Sequence, residues 1–180
     1  MNTMSLCRWE YLSQAQRQAV AELRISEAQV EFCGAVEKAI ALCQETDPEL
    51  LRGVAFLSEG RVVGFCLVRR GAMAAPWVPA DAVAITGLRM DICAQGKGLG
   101  RQALLALSAC VLAVWPETAR LVLSVDEHNP AGIAAYERAG WVDDGPRYQG
   151  RIGMERRMTK WLEAMTKDRE QDKHHDAAIH

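Results

Sequence analysis

Gln95-Gly96-Lys97-Gly98-Leu99-Gly100 sets three glycines at alternate positions. Before it lies a run with β-branched content, Ala82 to Asp91, and after it a long apolar segment ending near Trp115-Pro116. Those flanks predict a strand and a helix, with the glycines as the turn between them. Such a turn suits an anion. Without Cβ atoms the backbone can approach a phosphate closely. The first N–H groups of a helix have no internal partner, and the helix dipole adds a partial positive charge there. The P-loop pattern fails, because Gly100 is followed by Arg101-Gln102 and not Lys-Ser/Thr. The dinucleotide pattern G-x-G-x-x-G fails too, because the third glycine comes one residue early. Lys97 and Arg101 place flexible cations beside the backbone donors. A purely structural turn is the competing reading.

Working outward, Ser13 to Arg24 and Ser26 to Glu45 read as two helices. Ser26 and Gln29 form a capping-box pattern, and Val30, Cys33, Val36, Ala39, Ile40 and Cys43 form an apolar stripe. Thr46-Asp47-Pro48 ends the second helix. Gly53 to Leu57 and Val62 to Val68 predict a hairpin, and Arg70 to Ala80 a loop. Downstream, Leu121 to Val125 is a buried-type strand. Asn129-Pro130 opens a helix that Gly140 closes: Asn is a favoured cap and Pro fits the first turn. Trp141-Val142 and Ile152 to Met158 complete the strands. From Thr159 the chain reads as starting helical, then polar and disordered. The order predicts an α/β three-layer fold, with a mixed central sheet of about six to seven strands flanked by helices. Residues 1–160 form the domain and 161–180 a polar C-terminal tail.

The chain has 180 residues, 49% of them hydrophobic, so it can build a full core. Its formal net charge is −2, which gives no electrostatic reason to bind nucleic acid. The first fifty residues are acidic and the middle of the chain basic, a split compatible with one cationic and one anionic ligand. The longest apolar run, Ala103 to Pro116, is shorter than the ~18 residues of a membrane span. Six scattered cysteines include no C-x-x-C pair, and four histidines add no zinc spacing, so no metal is expected. The start lacks a secretory pattern. Free thiols and a cytoplasmic location are the expectation.

Gln95-x-x-Gly98-x-Gly100 resembles the pyrophosphate-binding motif of the GNAT N-acetyltransferases. Asn129 to Trp141, with Tyr136 seven residues after the Asn and a Gly-aromatic ending, resembles that family's second signature. Leu88-Arg89-Met90-Asp91 is similar to its coenzyme-binding strand. The likeness spans roughly residues 5–160. It implies an enzyme that moves an acetyl group from acetyl-CoA, as cosubstrate, to an amine by direct attack in a ternary complex. By the same likeness, Met90 and Ile92 offer backbone groups to the acetyl and pantetheine units. Gln95, Gly96, Lys97, Gly98, Leu99, Gly100 and Arg101 hold the pyrophosphate. Asn129 caps its helix and touches the coenzyme arm, and Tyr136 protonates the departing thiolate.

The chemistry is consistent with those roles. A main-chain donor at the tetrahedral oxyanion is commonly worth ~3 kcal/mol, and a phenol is protonated at neutral pH. The carboxylate that many members carry before the glycine turn is absent: Thr86 and Gly87 stand there. Deprotonation of the amine then falls to water or to Glu22, Glu27 or Glu31. Cys93 reads as a bystander thiol and His128 as a solvated loop residue. The front segment, Leu23 to Gln29 and on to Gly64-Phe65, is similar to the bacterial diamine and polyamine acetyltransferase branch. A small amine, polyamine-like or another such as an aminoglycoside or amino acid, is favoured over a protein as the acceptor. Neither nucleic acid nor membrane is expected as a partner, and a homodimer is compatible. The alternative function is a non-catalytic CoA-binding or regulatory module with the same fold.

Overall fold

The structure, a computed structural model, describes residues 4–162. Strand β1 (Met4–Arg8) leads through a short 3-10 turn to helices α1 (Gln14–Ala21), α2 (Glu27–Cys33) and α3 (Val36–Glu45). Strands β2 (Leu51–Ser58), β3 (Arg61–Arg69) and β4 (Ala82–Met90) follow, then α4 (Leu99–Leu112), β5 (Arg120–Asp126) and α5 (Pro130–Arg138). Strands β6 (Val142–Asp143), β7 (Tyr148–Gln149) and β8 (Met154–Trp161) close the order. The mixed sheet runs β1-β2-β3-β4-β5-β8-β6, with β7 also on β8. It has eight strands, above the expected six to seven, because β7 is a two-residue ladder and β1 carries no periodic signal of its own. β1 is an edge strand drawn out by pairing with β2, Met4 opposite Ser58 and Arg8 opposite Val54.

Two capping boxes start α1 and α2, at Ser13 with Gln16 and at Ser26 with Gln29. The single helix expected over Ser26 to Glu45 is two helices. Gly34, at φ 75°, ends α2, and extended Ala35 starts α3. A glycine in the left-handed region is a common helix stop, and here it overrides an apolar stripe that runs through it. The β2–β3 hairpin turns on Glu59-Gly60, both at positive φ, as a two-residue hairpin requires. The loop expected over Arg70 to Ala80 packs down: Trp77 and Val78 cover Ala82, Ala84 and Val122. Thr159 to Trp161, expected as the start of a helical tail, extend β8 against Val122, Leu121 and Arg120 of β5. Pairing with a buried neighbour outweighs local helix preference there. The rest of the tail lies outside the described residues.

Helices α4 and α5 cover one face of the sheet, through Leu104, Leu107, Val111 and Ile133 against Val83, Leu123 and Met158. Helices α1 and α3 cover the other face, through Val20, Val36 and Ala39 against Leu51, Phe65 and Leu67. The result is three layers, with the two larger apolar clusters on opposite faces of the sheet.

One irregularity positions the site. β4 and β5 run parallel but pair only at Ala82–Ala84 with Arg120–Val122. Beyond that, β5 keeps to β8 along its whole length, while β4 follows β3 through a bulge. Phe65 faces Arg89 and Leu67 faces Thr86, so β4 carries an extra residue where Gly87 sits at φ 62°. A bulge bends the strand and adds twist. The carboxyl ends of two parallel strands therefore separate, which is where open α/β sheets bind ligands.

Candidate active site

Arg89 fixes the bulge. Its side chain is 4% exposed. Nε donates to the Gly87 carbonyl at 3.0 Å, and the two terminal nitrogens donate to Gly34 O at 3.2 Å and Cys33 O at 3.1 Å. Those last two carbonyls sit at the end of α2 and lack helical partners. One buried cation thus ties the bulge to the helix that overhangs it.

The gap between β4 and β5 widens into a cleft of about 510 Å³ at the glycine turn. Gly96 and Gly98 have φ 73° and 75°, and a Cβ built on either would meet nothing within 4 Å. The glycines are thus required by backbone conformation, and the space beside them is open. Gly98 is the N-cap of α4 and supplies no side chain, so the first N–H groups of this helix lack a capping partner. Gln95, Gly96, Gly98, Gly100 and Arg101 line the cleft, together with Arg138, whose carbonyl accepts a bond from Arg101 Nε at 3.3 Å. Leu99 is buried beneath the turn, and Lys97 is exposed; neither lines the cleft. A helix N-terminus flanked by two guanidiniums attracts an anion.

Met90 lines the same cleft. Asp91 N–H points to Val63 O at 2.8 Å, so strand alternation turns the N–H of Met90 the other way, toward the cleft. The Met90 carbonyl accepts from Gln95 Nε2 at 3.0 Å, and the same nitrogen donates to Gln29 of α2. The Ile92 N–H is engaged by the Arg24 carbonyl at 2.7 Å, and its side chain is exposed. Asp91 accepts from the N–H groups of Arg24 and Cys93. Burial acts to raise its carboxyl, but these donors and the nearby Arg24 charge outweigh it and hold the group below its ordinary range.

Asn129 and Tyr136 lie where the cleft meets a second, smaller space. Asn129 Oδ1 accepts from Gly132 N at 2.9 Å, so the predicted cap forms. Tyr136 packs edge-on to Trp141. Its hydroxyl makes no hydrogen bond among the described residues, and burial, with Cys66 and Cys33 adding, pushes the phenol well above its ordinary value.

The second space is a chamber of about 190 Å³ in the β4–β5 gap. Glu31, Asp126 and Glu155 line it, with Thr86, Tyr136 and Arg151. Arg151 donates to the Glu31 carbonyl, which brings the β7–β8 loop to α2 beside the chamber. Asp126 Oδ2 and Thr86 Oγ1 are buried without hydrogen-bond partners. Three carboxylates against one guanidinium make the chamber acidic, opposite in sign to the glycine-turn end.

The conserved-domain model described as the acetyltransferase (GNAT) family matches residues 14–141. The chain belongs to that family. It is therefore an N-acetyltransferase with acetyl-CoA as cosubstrate. Among solved structures, this GNAT acetyltransferase is similar to the aminoglycoside acetyltransferase AAC(6')-Ib in complex with coenzyme A, at 19% identity and TM-score 0.70, over 93% of this chain and 99% of that one. It is similar to the spermidine N-acetyltransferase from Vibrio cholerae in complex with CoA and spermine, at 14% identity and TM-score 0.68, over 89% and 96% of the two chains. It is also similar to the ribosomal-protein-S18-alanine N-acetyltransferase from Escherichia coli, at 21% identity and TM-score 0.62, over 93% and 98%. At these identities the likeness shows the fold. No curated protein sequence matches the chain.

Of the three glutamates considered for the amine's proton, only Glu31 lines the acetyltransferase's chamber; Glu22 and Glu27 are exposed elsewhere. Sequence reasoning missed Asp126, Glu155 and Arg89. Asp126 had one available signal: it ends a strand that runs parallel to its neighbour, three residues before the Asn129 cap. Glu155 had none, because only the β5–β8 register sets it opposite Asp126. No helix among the described residues is long and apolar enough to cross a membrane, and no group of His, Cys, Asp and Glu among them could hold a metal.

Proposed function

We propose that this acetyltransferase moves the acetyl group to the primary amine of a small cationic molecule, by direct attack in a ternary complex. The observation that carries this reading is the acidic chamber beside Tyr136, joined to a cationic cleft at the glycine turn. The coenzyme's diphosphate belongs at the cationic end, held by the backbone of residues 95–101 with Arg101 and Arg138. Its pantetheine arm then runs along β4 past Asn129. The Met90 N–H supports the oxyanion as the amine attacks the thioester carbon. Ile92 contributes its carbonyl, since its N–H is already used. Tyr136 gives its proton to sulfur as the C–S bond breaks; burial keeps the phenol protonated until then.

The chamber favours a narrow acceptor. At about 190 Å³ it is smaller than the ~300 Å³ at which pockets begin to hold drug-sized ligands. It takes an ammonium tip and a short stem, with the remainder of the molecule outside. Polyamine-like acceptors fit that description, and the carboxylates favour them by charge. The test is thiol release from acetyl-CoA with n-butylamine, 1,4-diaminobutane, spermine, kanamycin and an alanyl peptide. Turnover is expected to be fastest on an unbranched amine. Preference for the peptide would overturn the small-molecule reading. Coenzyme binding with no turnover on any amine would favour a non-catalytic module.

A further inference from the structure

We infer that Asp126 takes the proton of the incoming ammonium and that His128 passes it to bulk water. This rests on the acetyl-transfer reading above and adds the base that reading lacks.

Asp126 is the last residue of β5, and its side chain is 4% exposed. Its two oxygens have different surroundings. Oδ1 accepts from the His128 N–H at 2.7 Å and lies 3.1 Å from His128 Nδ1. Oδ2 is buried with no partner, although Asp126 lines the chamber. A buried carboxylate oxygen without a donor costs free energy unless a ligand supplies one, and a protonated amine is such a donor. The His128 side chain is 82% exposed. The carboxylate therefore stands between the chamber and an imidazole in water. Gly153 packs over both groups: a Cβ there would stand 2.9 Å from Asp126 Oδ2 and 3.4 Å from His128 Nδ1. A bare glycine leaves the pair its room.

The groups that face Asp126 are Glu155 of β8, opposite it in register, Glu31 and Cys33 of α2, Arg151 of the β7–β8 loop, Tyr136 of α5, and His128. Of these, His128 both contacts the Asp126 carboxylate and reaches bulk solvent.

The protons balance. The ammonium gives one proton to the Asp126 carboxylate; the acid turns its O–H to His128 Nδ1, in the tautomer protonated at Nε2, and the imidazolium gives its Nε2 proton to water. The freed lone pair forms the C–N bond, giving an oxyanion with a positive nitrogen. The C–S bond then breaks as Tyr136 protonates sulfur. The nitrogen's surplus proton returns Tyr136 to its neutral form. The sum is amide, free thiol and one proton released to water.

The experiment compares wild type, Asp126→Asn and His128→Ala over pH 6–9.5, using the fastest amine of the panel above. Calorimetry with coenzyme A and thermal unfolding are run in parallel on each. Asp126→Asn is expected to bind coenzyme as wild type does and to lose about a hundred-fold in kcat near pH 7. Its log kcat/KM should rise with unit slope in pH, as hydroxide replaces the base. His128→Ala, at an exposed position, is expected to fold normally, to lose about five-fold in kcat, and to recover with added imidazole. Wild-type pH behaviour in both variants would overturn the relay while leaving acetyl transfer intact. A slow Asp126→Asn beside an unaffected His128→Ala would overturn the route through the imidazole. A wild type that acetylates no amine would remove the acetyl-transfer reading itself.

Discussion

Tyr136 carries the most exposed chemical claim. Its hydroxyl has no hydrogen-bond partner among the described residues, and the residue lines both the glycine-turn cleft and the acidic chamber. Tyr136→Phe removes one oxygen and leaves the ring against Trp141. Coenzyme affinity by calorimetry should be unchanged, and kcat should fall by about ten-fold or more. An unchanged kcat would take the phenol out of the reaction. At this scale the sequence was informative wherever a residue acts through its own backbone or its immediate neighbours. Asn129 as a cap, Gly98 within a glycine turn ahead of a helix and Ser26 as a capping box needed only nearby positions, and each forms. Arg89 and Asp126 were opaque for the opposite reason. What makes each important is a partner, or the lack of one, set by tertiary packing: Arg89 meets carbonyls more than fifty positions away.

Among the elements, α5 offers a test in which two small effects oppose. Replacing a helical glycine by alanine ordinarily gains up to ~1 kcal/mol in propensity. At Gly132, however, a Cβ would lie 2.6 Å from Asn129 Nδ2 and 2.9 Å from its Cγ. The capping carboxamide would have to leave, at a cost of ~1 kcal/mol. Position 132 is in the first turn, where the propensity gain is smallest, so the cap should win. Gly132→Ala should leave Tm level or lower it, and should weaken coenzyme binding through Asn129. A rise of several degrees would show that the cap is dispensable. The elements themselves were mostly legible from period and punctuation. Two of the misses share one cause: β1 and the end of β8 are each decided by a neighbour in space, against weak local preference, whereas the break at Gly34 is a local glycine stop hidden by the apolar stripe that runs through it.

The molecule as a whole should be sensitive to alkali. Burial, with Glu10 adding and Arg69 opposing, pushes the Cys43 thiol up to about 12. Burial, with Cys110 and Cys43 adding, also raises Cys66, and burial raises Tyr136 as well. In the unfolded chain these groups ionise near ~8.5 for thiols and ~10 for the phenol. The folded state therefore holds protons that the unfolded state releases as pH rises. Stability from these groups is fully present below about pH 8.5 and is lost as pH climbs toward their folded values. The urea midpoint at 25 °C should fall steadily from pH 8 to pH 10.5. A flat profile would mean that the thiols ionise as freely in the native protein as in the unfolded chain.

The three rungs that join β4 to β5 have a mechanical consequence. Above Ala84 and Val122 no main-chain bond among the described residues joins β4 to β5, so that part of the molecule is an open slot. A long cosubstrate lying in the slot would serve as its missing strand, stiffening the empty protein as it loads. Product departure would then mean reopening the slot, and the speed of that breathing motion would set an upper limit on turnover however fast the chemistry becomes.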